Sequence, residues 1–197
     1  INLTLMALIV IGSLGFTVWG EIRRTRRFSR LSVYARLVLL ITAGLIFGGG
    51  ALFALLEWNN PGTIGSFSTG GKLLAALFQS VTLRTAGFAS FNQDALTEAS
   101  KLLSNILMFV GGSSGSTAGG VKTTSAIALF LYVRSNIDRS YGINVFGRRL
   151  EEDAVKRAGA ICTINLTAAL AASILIMAIQ PVGWQMCCLR HFLPLER

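Results

Sequence analysis

The sequence predicts an all-α integral membrane protein built around one helix, pore-loop, helix repeat. Charged residues are 14% of the 197-residue chain and apolar residues 52%, where an ordinary soluble domain carries about 25% charged residues. The apolar residues fall in blocks long enough to cross a hydrocarbon layer of roughly 30 Å. Between two of these blocks lies a short apolar stretch that stops after about three turns and runs into glycine and threonine, the pattern of backbone that enters a membrane and turns back.

Ile1 to Trp19 is apolar apart from Asn2, Thr4, Ser13 and Thr17. It reads as the end of a transmembrane helix entering the cytoplasm, and 1–22 as the first unit. Gly12 and Gly15 near its end would let another helix or a re-entrant backbone approach closely. A basic loop, 23–36, follows. Leu37 to Trp58 has no charge before Glu57, and as a helix its 22 residues extend about 33 Å, one crossing. Gly44, Gly48, Gly49 and Gly50 are spaced for tight packing against a neighbour, with a hinge as the alternative. Trp58 stands where an interfacial aromatic anchor belongs.

Asn59 to Gly71 reads as a loop, with Ser68 or Thr69 able to cap the next helix. Lys72 to Val81 is too short to cross, and Thr82 to Ser90 is the returning segment. Lys101 to Val133 is a broken helix, apolar at both ends around Gly111-Gly-Ser-Ser-Gly-Ser-Thr-Ala-Gly-Gly120. Irregular backbone and a lysine, Lys122, are tolerated at membrane depth only where they face protein or water, so the break should line a cavity. Residues 37–133 thus form one complete repeat. A hydrophilic cytoplasmic linker, 134–157, leads to a further spanning helix, 158–179, and to a tail, 180–197, without clear pattern.

The 18 Lys and Arg against 9 Asp and Glu raise the question of nucleic acid, but the basic residues flank apolar blocks and are not interleaved with aromatics on a polar face. Six lie in Arg23 to Arg36 and six in Arg134 to Arg157, with only Lys72, Arg84 and Lys101 between the second block and the broken helix. The positive-inside rule accounts for this placement, puts both basic loops in the cytoplasm and has the re-entrant loop dip in from outside.

Catalytic readings fail on spacing. Gly115 to Thr123 approaches a phosphate-binding loop, but Val121 intervenes between Gly120 and Lys122 and no strand precedes it. The single histidine, His191, has no paired carboxylate or nucleophile in sequence. Cys187, Cys188 and His191 lack a fourth ligand, and Cys162 reads as a small apolar helix residue. No enzyme activity, resident metal or cofactor is expected.

In the filter position of the loop stands Thr82-Leu-Arg-Thr-Ala-Gly-Phe88. Together with Phe78-Gln-Ser-Val81 before it and Gly111 to Thr124, it resembles the TrkH/KtrB superfamily of potassium transporters. The order of the motifs is similar to the third of that family's four helix, pore-loop, helix repeats, with Ile11 to Trp19 similar to the end of the second and 158–179 to the first helix of the fourth. The run Arg30-Leu-Ser-Val-Tyr-Ala-Arg36 and the form of the filter segment lean toward KtrB.

The resemblance implies that Thr85, Ala86, Gly87 and Phe88 supply one quarter of a potassium selectivity filter, Gly87 being most tied to selection. It also implies that Gly111, Gly112, Ser113, Ser114, Gly115, Ser116, Thr117, Ala118, Gly119 and Gly120, with Lys122, form a gating loop beneath it. Arg84 is expected to pair behind the filter, since a positive charge on the axis would repel the ion. Lys122 either bonds carbonyls or snorkels, or acts directly in gating. Further implications are potassium as transported ion with sodium as a coupling or activating ion, a multi-pass protein of the bacterial inner membrane in contact with lipid, a homodimer, and a cytoplasmic nucleotide-binding regulatory ring of the KtrA/TrkA kind. One complete repeat cannot close a four-repeat pore, and the chain starts without Met inside an apolar run. It is therefore expected to be a piece of a longer protein whose tail marks a truncation, with a non-transporting remnant as the alternative.

Overall fold

Seven α-helices account for most of the described residues of the computed structural model, which are 2–84, 86–116, 119–137, 144–145, 148–149 and 152–179. The helices are α1 (Asn2–Leu14), α2 (Phe16–Thr25), α3 (Val33–Glu57), α4 (Thr69–Thr82), α5 (Glu98–Phe109), α6 (Thr123–Ile137) and α7 (Glu152–Ile179). Strands β1 (Asn144–Val145) and β2 (Arg148–Arg149) pair antiparallel, so the all-α architecture carries one small hairpin in the connection that sequence marks only as hydrophilic.

The opening apolar run is not one helix. It breaks at Gly15, where φ is 77°, and α2 leaves α1 at 93°. The left-handed φ is open to glycine at little cost, and a Cβ at Gly15 would lie 2.9 Å from both Ser113 Oγ and the Ser114 carbonyl oxygen. The Trp19 indole braces the corner by donating to the Ile11 carbonyl at 2.9 Å. Leu14 and Val18 fill its inner side against Leu31, Ala35 and Val38.

Helix α3 starts at Val33, four residues before the apolar block itself, because Ser32 caps it: the Ser32 hydroxyl accepts from the Ala35 amide at 3.2 Å, satisfying one of the amides a helix start leaves open. Its 25 residues extend about 37 Å, enough to cross a bilayer. Among the described residues α3 and Lys156–Leu175 of α7 are long and apolar enough to span, and α1 with α2 would count as a third if the bent pair is one span. Both helices turn apolar side chains outward, among them Phe47 and Leu55 of α3 and Ile164 and Ile174 of α7. Such faces suit lipid or neighbouring helices.

In lipid, helix association rests on close packing and hydrogen bonds, since the apolar surround offers no hydrophobic drive. The α3–α4 pair shows this. A Cβ at Gly49 would stand 2.5 Å from Ser80 Oγ, and one at Gly50 2.7 Å from Leu77 Cδ2, while at Gly44 and Gly48 a Cβ would meet nothing within 4 Å. Among the described residues, therefore, only the second half of the glycine stripe packs against a neighbour. The Ser80 hydroxyl adds a bond to the Leu45 carbonyl at 3.0 Å. Phe53, Ala54, Ile64, Ala75, Ala76, Leu83 and Met108 form the core between α3, α4 and α5, and α7 packs on α6.

Candidate functional site

Contacts along α3 measure the path of the chain. At the C-terminal end of α3, Lys72 at the start of α4 donates to the Trp58 carbonyl at 2.8 Å and stands 5.0 Å over the Trp58 ring. Ser68 caps α4 through the Gly71 amide at 3.3 Å. Further along, Ser80 meets Leu45, and Arg84 meets Thr42, so α4 runs antiparallel to α3. Its 14 residues extend about 21 Å, short of the roughly 30 Å core. The chain then climbs back. Gln93 lies beside Gln79, and Thr97 has returned to Glu57. Entry and exit both lie at the C-terminal end of α3, so 69–97 runs part of the way along α3 and returns, the path of a re-entrant loop.

Four polar arrangements hold this loop. Thr82, the last residue of α4, bonds both backbone groups of Phe88: its hydroxyl donates to the Phe88 carbonyl at 2.5 Å and accepts from the Phe88 amide at 3.0 Å. The segment 83–88 is thereby clasped at its two ends, with Gly87 at a φ of 80°. The C-terminal end of α4 points at it, carrying the negative end of the helix dipole toward the turn. Behind it, Arg84 is buried, its guanidinium donating to Thr42 Oγ1 at 3.3 Å and to the Thr42 carbonyl at 3.2 Å. Its partner is thus a neutral threonine on α3, and its charge is turned into the α3 contact. Ala86 and Gly87 are half-buried and Phe88 is exposed. Thr85 lies outside the described residues.

Gln79 and Gln93, both buried, exchange amide bonds at 2.7 and 3.2 Å. Glu57, also buried, closes the outer end of the loop. One carboxylate oxygen accepts from Asn60 Nδ2 at 2.7 Å and Thr63 Oγ1 at 2.8 Å, the other from the Thr97 amide at 3.0 Å and Thr97 Oγ1 at 2.7 Å. A carboxylate buried without partners would cost several kcal/mol, and four donors offset that cost. The sequence marks Glu57 only as the first charge after an apolar block. The signal for its role is the set of donors at 60, 63 and 97, which only the fold gathers.

The glycine-rich break between α5 and α6 is a pinched loop. Val110 and Val121 form a parallel bridge at its neck, where the Gly111 amide donates to the Val121 carbonyl at 3.0 Å and the Val121 amide to that of Phe109 at 3.1 Å. Thr123 closes the neck through its amide to the Gly112 carbonyl and its hydroxyl to that of Gly111, both at 3.0 Å. The strands of the neck run so close that a Cβ at Gly111 would overlap the Gly119 carbonyl, and Gly120 has a φ of 73°. Gly115, at the tip, has a φ of 77°.

The tip reaches the α1–α2 corner. The Ser113 amide donates to the Ser13 carbonyl at 3.0 Å, its hydroxyl to that of Leu14 at 2.5 Å, and Tyr34 Oη to the Ser114 carbonyl at 3.0 Å. The Ser116 hydroxyl donates back to the Ser113 carbonyl at 2.6 Å. Lys122 is half-buried, and its carbonyl accepts from the Ser125 and Ala126 amides at the start of α6. Thr117, Ala118 and the tail with Cys187, Cys188 and His191 lie outside the described residues. Tyr34, at the loop tip, and Thr42, at Arg84, are two turns apart on α3, about 12 Å. The glycine-rich loop therefore sits at a separate level beyond the turn of the re-entrant loop.

Comparison with known proteins agrees with this architecture. Residues 1–182 match the family described as TrkH, cation transport protein. The chain is 35% identical over 179 residues to Ktr system potassium uptake protein B of Vibrio alginolyticus, covering 90% of this chain and 39% of that protein. It is 33% identical over 177 residues to the potassium/sodium uptake protein NtpJ of Enterococcus hirae, covering 89% and 39%. The crystal structure of the potassium transporter TrkH from Vibrio parahaemolyticus superposes with a TM-score of 0.72 at 21% identity, over 90% of this chain and 39% of that one. The chain spans about two fifths of the length of these relatives. With the family match running over nearly all of it, the chain belongs to the TrkH family of cation transport proteins.

Proposed function

We propose that this chain is part of the pore-forming subunit of a bacterial potassium uptake system, in which 85–88 line one quarter of the selectivity filter and 111–120, with Lys122, gate the path beneath it. The observation that carries the reading is the order of levels along α3: the turn of the re-entrant loop at Thr42, then the glycine-rich loop at Tyr34. A cation stripped of water needs carbonyl oxygens where α4 aims its negative end. A segment that opens and closes below needs backbone free of bulky side chains. Turning Arg84 into α3 keeps its charge away from such a path. The names of the relatives, which specify potassium or potassium and sodium uptake, support potassium as the ion, with sodium as coupling or activating ion.

In this reading the protein is multi-pass in the inner membrane, with Arg23 to Arg36 and 134–157 in the cytoplasm. The intact subunit is a homodimer, and its basic loops meet a nucleotide-binding ring of the KtrA/TrkA kind. The test is growth and potassium uptake of a transport-deficient bacterial strain expressing this chain completed to four repeats with segments of the Vibrio alginolyticus relative. Restored uptake supports the reading. No uptake by a completed chain shown to be inserted and stable contradicts it.

A further inference from the structure

We propose that Tyr34 and Ser113 are positioning residues that latch the glycine-rich loop to the corner of α1, α2 and α3, and that displacement of the arginine segment between α2 and α3 releases it. The inference rests on reading the loop as a gate.

Helix α1 ends at Leu14, and the last carbonyls of a helix have no partner within it. Ser113 fills that need: its amide donates to Ser13, and its hydroxyl to Leu14 at 2.5 Å and to Ser13 at 3.2 Å. The absence of a Cβ at Gly15 is what lets the tip come so close. Tyr34 holds the neighbouring residue from the other side, through the Ser114 carbonyl at 3.0 Å. The tip is thus tied both to the end of α1 and to the first turn of α3.

That first turn is itself fastened to α2. The Glu21 carboxylate accepts from the Ser32 amide and, at 2.7 Å, from the Ser32 hydroxyl, while Ser32 caps α3 two residues before Tyr34. The clasp closes residues 22–31 into a loop that exposes Arg23, Arg24, Arg26, Arg27 and Arg30. An acidic partner engaging these arginines would load both ends of the clasp: the α3 turn that carries Tyr34, and α2, which continues from the end of α1 through Gly15. A hydroxyl-to-carbonyl bond that breaks costs on the order of 1 kcal/mol net, so losing the Tyr34 bond should raise the released population about fivefold.

The test is rubidium influx into proteoliposomes holding the four-repeat protein with no cytoplasmic partner added. The variants are Tyr34→Phe, Ser113→Ala and Glu21→Gln, beside one lacking residues 114–118 as a control for the gate itself. The expectation is that Tyr34→Phe and Ser113→Ala raise influx about fivefold with rubidium-over-sodium selectivity unchanged, and that Glu21→Gln raises it in the same direction. A merely structural role would lower influx or degrade selectivity, and either result would overturn the latch. High influx only in the shortened-loop variant overturns the latch and leaves the gate standing. Unchanged influx in the shortened-loop variant removes the gate reading and the latch with it. No rise in Glu21→Gln, with a rise in Tyr34→Phe, overturns the link to the arginine segment.

Discussion

Replacing Thr82 by valine keeps the branched shape at the end of α4 and removes one hydroxyl, which serves both the carbonyl and the amide of Phe88 at 2.5 and 3.0 Å. Each bond contributes on the order of 1 kcal/mol net, so their joint loss costs the clasped loop about 2 kcal/mol, or roughly a 30-fold shift toward unclasped conformers. Thr82 is buried at 1% exposure, so water gains poor access to replace the hydroxyl. The backbone around Gly87 would then lose its clasp, and the proposed filter, which depends on oriented carbonyls, would lose discrimination before it loses conduction. The assay is competition of sodium with rubidium influx in proteoliposomes of the four-repeat protein. The expected result is that Thr82→Val admits sodium while Thr82→Ser, which keeps the hydroxyl, behaves as the unmodified protein. Wild-type selectivity in Thr82→Val, or equal damage in Thr82→Ser, would refute the clasp.

Three further outcomes follow from the same contacts, each read as thermal stability in detergent. Gln79→Leu or Gln93→Leu alone leaves a buried amide without its partner and should cost about 2 kcal/mol, whereas the double variant, with both amides gone, should recover most of the loss. Glu57→Gln places an amide NH2 against donors from Thr97 or from Asn60 and Thr63, and should destabilise by about 3 kcal/mol. Gly50→Val should cost about 1–3 kcal/mol by overpacking against Leu77, while Gly48→Ala, with open space around it, should stay within about 0.5 kcal/mol of the unmodified protein.

The sequence made the long elements legible because each is written locally. The uncharged stretch before Glu57 announces α3, Ser68 announces the cap of α4, and ten residues of glycine, serine, threonine and alanine from Gly111 to Gly120 announce a helix that cannot continue. The break at Gly15 was not legible. The apolar run passes through it to Trp19, glycine is common in membrane helices, and the residue that packs into the bend, Ser113, lies about a hundred residues away. The glycine stripe shows the same limit: spacing alone gives Gly44, Gly48, Gly49 and Gly50 one meaning, but only the last two face α4. The burial of Arg84 follows from the repulsion a cation path would suffer. Its partner, Thr42, does not, because an uncharged acceptor on another helix leaves no pattern in the sequence. The segments proposed as filter and gate stand out in the sequence as motifs. The residues that hold them, Thr82, Gln93, Glu57 and Tyr34, are joined across distances that periodicity does not reach.

Whether Gly87 belongs to a potassium-selecting turn is read from the ratio of rubidium to sodium influx through the four-repeat protein with Gly87 and with Gly87→Ser. At a φ of 80° serine costs about 1–2 kcal/mol, enough to shift the turn without unfolding the subunit. The expected result is a marked fall in the ratio with total influx retained. An unchanged ratio in a variant that is inserted, stable and conducting would contradict it.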